Sequence, residues 1–490
     1  MIGERGYIAV DVGAGSGRVL VGRATPGRLE VEEVHRFSNR VYKLAGHERW
    51  KSGKIFDAIQ DGIRKAVQAC PGAISVGVDT WGCDYALIDE RGELLAEPVG
   101  YRDPRTDGEM ERVFEKISRD ELFKSTGIQM LPFNTIFQIH AQRRMNQWPE
   151  EEASRLLMMP DIFHHMLCGE PAGEQTNGST TQLVQAGKPE WHDGLIDRLD
   201  FPRFVFPPLV APGHRLGGLR PGVAEYVGSR RLEVIVPATH DTASAVAGTP
   251  LQEKEAYISS GTWSLVGVER DGPIVTDDAE KENFTNETGA YGTTRFLKNV
   301  MGLWILEGCR KEWKDQGQNL ELDGLAEKLA GQDAFPGFVF PDDPRFFHPE
   351  SMPKEVMGFL EDSKQKVKDD ALTLTQVILD SLAMRYASVL AKIEKLTGEK
   401  IETVRIIGGG CQNAYLNQAT ANASGKVVLA GPVEATAIGN LLVQSIADGH
   451  FKNIVEAREC VALSFPPEKF EPQDTAAWKK AASRYAEVEG

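Results

Sequence analysis

The segment Tyr7–Arg18, YIAVDVGAGSGR, constrains this chain more than any other. An apolar strand ends in an acid, Asp11. It runs into a glycine-rich turn, Gly13-Ala14-Gly15-Ser16-Gly17, followed by a cation, Arg18. Glycine has no Cβ, so backbone N–H groups can approach an anion closely. A carboxylate at a strand end can hold a metal ion, directly or through water. Together these features read as a site for a nucleotide phosphate. The run alone leaves other readings open. D-x-G-x-G-x-G also opens the cofactor site of many methyltransferases, and an ordinary tight hairpin could carry the same glycines.

The residues after the turn separate the first two readings. A dinucleotide or methyl-donor site needs a helix straight after the glycines. Here Arg18–Arg23 continues as a second strand, Thr25-Pro26-Gly27 forms a turn, and Leu29–Val34 alternates apolar and polar residues as a third strand. That meander is how the phosphate-binding hairpin of actin-like and sugar-kinase ATPases is built.

At 490 residues the chain exceeds one core, and about two or three domains are expected. A net charge of −16 argues against a nucleic-acid or anionic-membrane surface. ATP needs only a local positive field, so the charge does not oppose it. Cys70, Cys83, Cys168, Cys309, Cys411 and Cys460 are scattered without a C-x-x-C pair, the pattern of reduced thiols in a cytoplasmic protein. Only six residues precede the first strand, which leaves no room for a signal peptide. No apolar run approaches the ~18 residues of a membrane span.

The chain has two halves with matching starts. Ala256–Val268 again reads strand, small-residue turn, strand, and Asp271-Gly272-Pro273 then breaks it. This weak repeat predicts two related domains facing each other across a cleft, with a boundary near Pro237–Pro250. A helical stripe (Ile55, Ile59, Ile63, Val67) leads into a buried strand, Ala73–Val78. That strand delivers Asp79-Thr80-Trp81-Gly82-Cys83-Asp84 to its carboxyl end, where open α/β sheets place their sites. A long helix over Leu374–Leu396 ends at Thr397-Gly398. The strand Thr403–Ile407, the run Gly408-Gly409-Gly410 and a helix from Asn413 come next.

Four clusters could carry chemistry. In Pro237–Ser244, Asp241 is a candidate proton acceptor for a hydroxyl, although a lone Asp at a helix start is commonly an N-cap. Phosphoryl transfer needs only a weak base, because its transition state is loose. Gly408–Gly410 exceed what a strand–helix turn requires and suit a nucleotide seat. Cys411, with no activating base nearby in sequence, reads as a small buried residue. Trp81 could stack on a sugar and Gly82 could admit a hydroxylated ligand, against the alternative of core packing. Arg295–Trp304 reads as a helix with Asn299 as its inward polar residue, or simply as a packing helix. The absence of G-x-x-x-x-G-K-[ST], and of H-R-D with D-F-G, excludes P-loop and protein kinases.

The ordered set VDVGAGSGR, GVDTWGCDYALID, YRDPRTDG, THDTASAV, YISSGTWSLVG, RFLKNVMGLW, GGGCQNAYLNQATANASG and AGPVEATAIGN resembles the FGGY carbohydrate kinases over about residues 7–450. It is most similar to the branch that acts on L-rhamnulose. The resemblance implies an α/β fold of two ribonuclease-H-like, actin- or hexokinase-type ATPase domains around a central cleft. Residues 1–245 would bind sugar and carry the first phosphate loop, and 246–490 would bind adenosine. It implies ATP and Mg²⁺ as cofactors. Ala14, Gly15, Ser16, Gly17 and Arg18 match the first phosphate-binding loop, and Asp11 matches the acid that organises the metal. Gly82, His240, Asp241, Thr242 and Asn299 match substrate contacts, with Asp241 as proton acceptor and Trp81 beside them. Thr262 and Gly409 match nucleotide contacts. Glu307 stands at a nucleotide-contact position where the family often has Gln, and an unpaired carboxylate there would repel phosphate.

The expected reaction is transfer of phosphate from ATP to O1 of a ketose, L-rhamnulose first and L-fuculose as competitor, in a cytoplasmic monomer or homodimer with no nucleic-acid or membrane partner. A methyltransferase and an actin-like assembly ATPase are the alternatives from other classes.

Overall fold

A computed structural model gives the structure of the chain and describes residues 5–25, 27–318, 320–321, 324–329 and 332–490. The expected meander is present. β1 (Arg5–Val12), β2 (Ser16–Thr25) and β3 (Arg28–Ser38) pair antiparallel in sequence, and no helix comes after Gly17. Pro26, in the expected turn after β2, lies outside the described residues; Gly27 takes a left-handed φ of 76°. The sheet continues through β4 (Ala73–Thr80), which runs parallel to β1, to β5 (Arg215–Gly218) and β6 (Glu233–Ile235), in the order β5-β6-β4-β1-β2-β3. From Gly6 onward every residue of β1 is buried, as a central strand covered on both faces requires.

The second half repeats this plan. β7 (Glu255–Ser260) pairs antiparallel with β8 (Trp263–Arg270). On its other side β7 pairs parallel with β10 (Thr403–Ile407), and β10 pairs parallel with β11 (Val427–Ala430). β9 (Thr294–Met301) lies beyond β8, and β12 (Glu468–Phe470) pairs antiparallel with β11 at the other edge. Each sheet therefore has a meander on one side, parallel strands in the middle and an antiparallel edge, so the weak sequence repeat is a repeat of topology.

Contacts divide the chain into two compact units. One takes the residues through Pro250 together with Glu269–Phe296 and Ala435–Phe465; the other takes Leu251–Val268, Leu297–Glu434 and Pro466–Gly490.

Six helices flank the candidate loops. α1 (Ser52–Ala69) buries Ile55, Ile59 and Ile63, three residues of the expected stripe. α2 (Asp241–Ala247) starts at the proposed base. The expected helix over Arg295–Trp304 is instead strand β9 as far as Met301, and α3 (Trp304–Asp315) begins only afterwards. The cause is tertiary: Arg295–Met301 fills a place beside β8, and that pairing overrides a short segment without strong local preference. α4 (Ala371–Thr397) ends at Gly398 with φ 73°, as expected. α5 (Ala414–Ser424) is capped by Asn413, whose Oδ1 accepts from Leu416 N at 3.0 Å. In the first unit α6 (Ala435–Ala447) crosses α2 at Gly439, where a Cβ would sit 1.8 Å from the Ser244 carbonyl oxygen. That close approach seats the helix that presents Asp241.

Candidate active site

Strand register places the charges of the first loop. Asp11 lies opposite Arg18 across the β1–β2 pair and opposite Asp79 across the β1–β4 pair. Arg18 Nη2 donates to Asp11 Oδ2. Asp79 is fully buried; Asn440 Nδ2 donates to its Oδ2 at 2.6 Å, while Oδ1 has no partner among the described residues. Burial first, and the neighbouring Asp11 second, hold the Asp79 carboxyl well above the usual carboxylate range. Sequence reasoning does not single out Asp79. Its signal is present, an acid at the end of an apolar strand, but only register shows that it stands beside Asp11.

The turn itself is held by backbone. Gly13 N donates to Ser16 O at 2.8 Å, Asn39 N donates to Gly15 O at 3.1 Å, and Asn39 Nδ2 donates to Gly13 O at 3.0 Å. Asn39 is a buried clamp with no sequence signal. Ala14 is half-buried and Gly15 exposed. A Cβ on Gly17 would meet the Phe37 ring at 2.1 Å, whereas a Cβ on Gly15 would meet nothing within 4 Å. Gly17 is thus fixed by cross-strand packing, and Gly15 is required by neither packing nor φ.

The Pro237–Asp241 loop lies beside the end of β4, with Thr80 N donating to Thr239 O at 2.9 Å. Behind it stands Glu174, fully buried. Its Oε2 accepts from Thr239 N at 3.0 Å, Thr239 Oγ1 at 2.7 Å and Thr176 Oγ1 at 2.5 Å, and the Thr176 hydroxyl accepts from His240 N at 3.1 Å. Asp241 is the first helical residue of α2 rather than its N-cap, a position taken by His240. Asp241 Oδ1 accepts from Thr242 N at 2.6 Å and from Thr242 Oγ1 at 3.2 Å, and lies 3.5 Å from His240 Nε2. Burial raises the Asp241 pKa; His240 opposes the shift and Asp11 adds to it. Asp241 is half-buried, and a carboxylate with a raised pKa is a stronger base than an ordinary one.

Two expected sugar contacts have structural duties. Trp81 is only 7% exposed and packs on Trp50 with ring centroids 4.4 Å apart. Its Nε1 donates to Asp84 Oδ2 at 2.9 Å and Trp50 Nε1 donates to the same oxygen at 2.7 Å, so Trp81 is part of the core and not an open stacking platform. Opposite Gly82, a Cβ would fall 2.9 Å from Thr180 Oγ1, which itself accepts from Cys83 N at 3.1 Å. The space beside Gly82 is filled by Thr180.

In the second unit the turn Gly261-Thr262 closes through Gly261 N to Trp263 O at 2.9 Å. It is backed by Gly302 N to Thr262 O at 3.1 Å and Leu303 N to Gly261 O at 2.9 Å. A Cβ on Gly302 would lie 2.7 Å from the Gly261 carbonyl oxygen, so only glycine fits there. Thr262 is exposed, and Asn299 sits half-buried on β9 rather than on a helix. The three successive glycines separate by role. Gly408 has φ 80°, a conformation that favours glycine; a Cβ on Gly410 would meet Ser260 Oγ at 2.1 Å; a Cβ on exposed Gly409 would meet nothing within 4 Å. Two of the three are therefore explained by the turn itself. Cys411 is buried, which pushes its thiol up to about 11, against a role as nucleophile. Glu307, on α3, is exposed and paired with Arg310 at 2.7 Å, so its charge is partly compensated.

Among the described residues no group of three or more His, Cys, Asp or Glu is arranged to hold a metal ion. Mg²⁺ characteristically takes one or two carboxylates and completes its shell with phosphate and water. Asp11 beside Asp79, with its unpartnered buried Oδ1, fits that donor set. All six cysteines are free, and no helix is long and apolar enough to cross a membrane among the described residues.

Comparison with known proteins agrees with this geometry. The chain is 41% identical over 472 residues to a protein named rhamnulokinase from Enterococcus faecalis, covering 96% of this chain and 94% of that one. It is 41% identical over 458 residues to a rhamnulokinase from Oceanobacillus iheyensis, covering 94% and 96%. Among solved structures, gluconate kinase from Lactobacillus acidophilus superposes with a TM-score of 0.78 at 14% identity, covering 99% of this chain and 98% of that one, which shows a shared fold. The FGGY carbohydrate-kinase N-terminal domain model matches residues 6–248 and the C-terminal domain model residues 256–447. With the glycine-loop hairpin present in both of these regions, the chain belongs to the FGGY family of carbohydrate kinases.

Proposed function

We propose that this carbohydrate kinase transfers the γ-phosphoryl group of ATP to O1 of L-rhamnulose, giving L-rhamnulose 1-phosphate and ADP. The observation that carries the substrate is the 41% identity, over nearly the whole chain, to proteins named rhamnulokinase. The bond from O1 to phosphorus forms as the bond from phosphorus to the ADP oxygen breaks, and the proton of the 1-hydroxyl passes to Asp241. The half-buried position of Asp241, its raised pKa, and its fixed place at the head of α2 support that role. Glu174 and Thr176 position the loop by bonding its backbone.

The backbone of Ala14–Gly17 and the Arg18 guanidinium would receive phosphate oxygens. Thr262, in the second hairpin turn, would also face phosphate, the exposed Gly409 would receive adenosine, and Glu307 stands at a further nucleotide-contact position. His240, Thr242, Asn299 and Gly82 would line the sugar. Asp11, with Asp79 beside it, would hold Mg²⁺, whose charge offsets that of the transferring phosphoryl group. We assign the sugar and first phosphate loop to residues 1–245 and adenosine to 246–490. The enzyme is proposed to work in the cytoplasm, as a monomer or homodimer.

A coupled ADP-release assay over L-rhamnulose, L-fuculose, L-ribulose, D-xylulose and glycerol tests the substrate. A site built around particular hydroxyls rejects a misplaced one strongly, because its own polar groups are then left unpaired. L-Rhamnulose is expected to give the highest kcat/KM. A preference of about tenfold or more for another member of the panel overturns the substrate assignment.

A further inference from the structure

The loop carrying Asp241 is gripped from a second side by two residues that the proposed phosphoryl transfer does not use. Arg295, at the start of β9, is fully buried, and its Nε donates to Thr288 O at 3.3 Å. Its Nη2 lies 3.0 Å from His240 Nδ1 and 3.0 Å from Glu287 Oε2. Glu287 Oε2 is itself 3.3 Å from the same His240 nitrogen. The remaining ring nitrogen, Nε2, faces Asp241 Oδ1 at 3.5 Å. All four residues belong to the first unit.

The chemistry of these groups selects one arrangement of protons. A guanidinium stays charged and offers only donors. Its bond to Nδ1 needs a lone pair there, so the single proton of a neutral imidazole sits on Nε2. Glu287 could accept from Nδ1 only if that nitrogen carried the proton; instead it is retained at 3.0 Å by Arg295, whose buried charge it neutralises. Without Arg295, the Glu287 carboxylate would draw the proton to Nδ1, and Nε2 would turn a lone pair toward the Asp241 carboxylate.

We propose that Arg295, with Glu287 as its counter-ion, is a positioning residue that fixes His240 in the Nε2–H tautomer and so presents an N–H donor beside the catalytic carboxylate. Its consequence for turnover rests on the proton-accepting role proposed for Asp241; the tautomer does not.

The test is a long-range ¹H–¹⁵N correlation spectrum of protein labelled at histidine, with His240 identified by the signals lost in His240→Asn. Wild type is expected to show Nε2 protonated and Nδ1 as a bare acceptor, and Arg295→Lys, which keeps a donor cation, to show the same. Arg295→Met is expected to move the proton to Nδ1. Should the lone Glu287 charge prevent that variant from folding, Arg295→Met combined with Glu287→Met removes both charges, and the Nε2–H preference should disappear. In steady state, Arg295→Met should lower kcat by about tenfold to a hundredfold, the effect of misplacing a group beside the reacting atoms, with KM for ATP changed by less than about twofold. Arg295→Lys should recover most of that loss. An Nδ1–H or doubly protonated His240 in wild type overturns the proposal, and so does Nε2–H persisting in Arg295→Met. A protein that phosphorylates no sugar, yet shows the expected tautomers, would sink the kinase assignment and leave this one standing.

Discussion

The glycine loop of the first unit resembles the glycine run of the other unit in sequence, but their surroundings differ. In each, some glycines are demanded by the fold: Gly17 by the Phe37 ring, Gly408 by its left-handed φ, and Gly410 by Ser260. In each, one glycine is exposed and demanded by nothing nearby, Gly15 in the loop and Gly409 in the run. The loop is surrounded by charge, with Asp11, Arg18 and Asp79 in register around it. The run is lined by the hydroxyl and the carbonyl of Ser260 in place of ions. Charge is what a migrating phosphoryl group requires, whereas a neutral glycine surface suits the flat face of a nucleoside. Two glycine-rich turns thus carry different chemistry, and the difference lies in side chains that strand pairing brings together.

The comparison breaks most easily at the charged side. Asp241→Asn should lower turnover by about 10²–10⁴-fold, the usual worth of a general base, with KM for ATP nearly unchanged. A variant that keeps a third of the wild-type rate would remove Asp241 from its role. The free glycines come next. Gly15→Ala and Gly409→Ala should each raise KM for ATP by about tenfold, the effect of one lost close contact, without changing Tm. A fall in Tm, or an unchanged KM, would show these glycines to be ordinary turn residues. By contrast Gly302→Ala must shift backbone at the Gly261-Thr262 turn, and should destabilise by about 1–3 kcal/mol, read as a lower denaturation midpoint.

A pH effect sharpens the contrast within the second unit. Asp380 on α4 is buried, its Oδ1 accepts from Tyr415 at 2.7 Å, and burial pushes its pKa up to about 7 from an ordinary 3.8. Between those values the folded protein binds a proton that the unfolded chain does not. Stability therefore falls as pH rises from about 4 to 7, by up to about 1.4 kcal/mol per pH unit for this one group. Asp380→Asn keeps an acceptor for Tyr415 without the charge. It should be more stable than wild type at pH 8, with the gain vanishing toward pH 4. The smallest expected effect is zero: with all six thiols free, dithiothreitol should leave Tm and activity unchanged. A drop of several degrees would reveal a disulfide, typically worth about 2–4 kcal/mol.

Local signals in the sequence determined a good deal of this protein. The meander after Gly17, the stripe of α1, the end of α4 at Gly398 and the repeat at Ala256–Val268 all rest on periodicity and turn chemistry within a few residues, and all are present in the fold. The order of the motifs carried the family. Tertiary structure alone decided three other things. Arg295–Met301 is a strand because it has a partner strand, which no local preference announces. Trp81 faces Trp50 and Asp84, so a tryptophan that reads as a sugar platform is core. Asp79, Asn39, Glu174, Glu287 and Arg295 join the site across separations of tens to hundreds of residues. The physical reason is common to all three. Hydrogen bonds and charge pairs act over a few ångströms, and only strand register and helix packing determine which distant residues come that close.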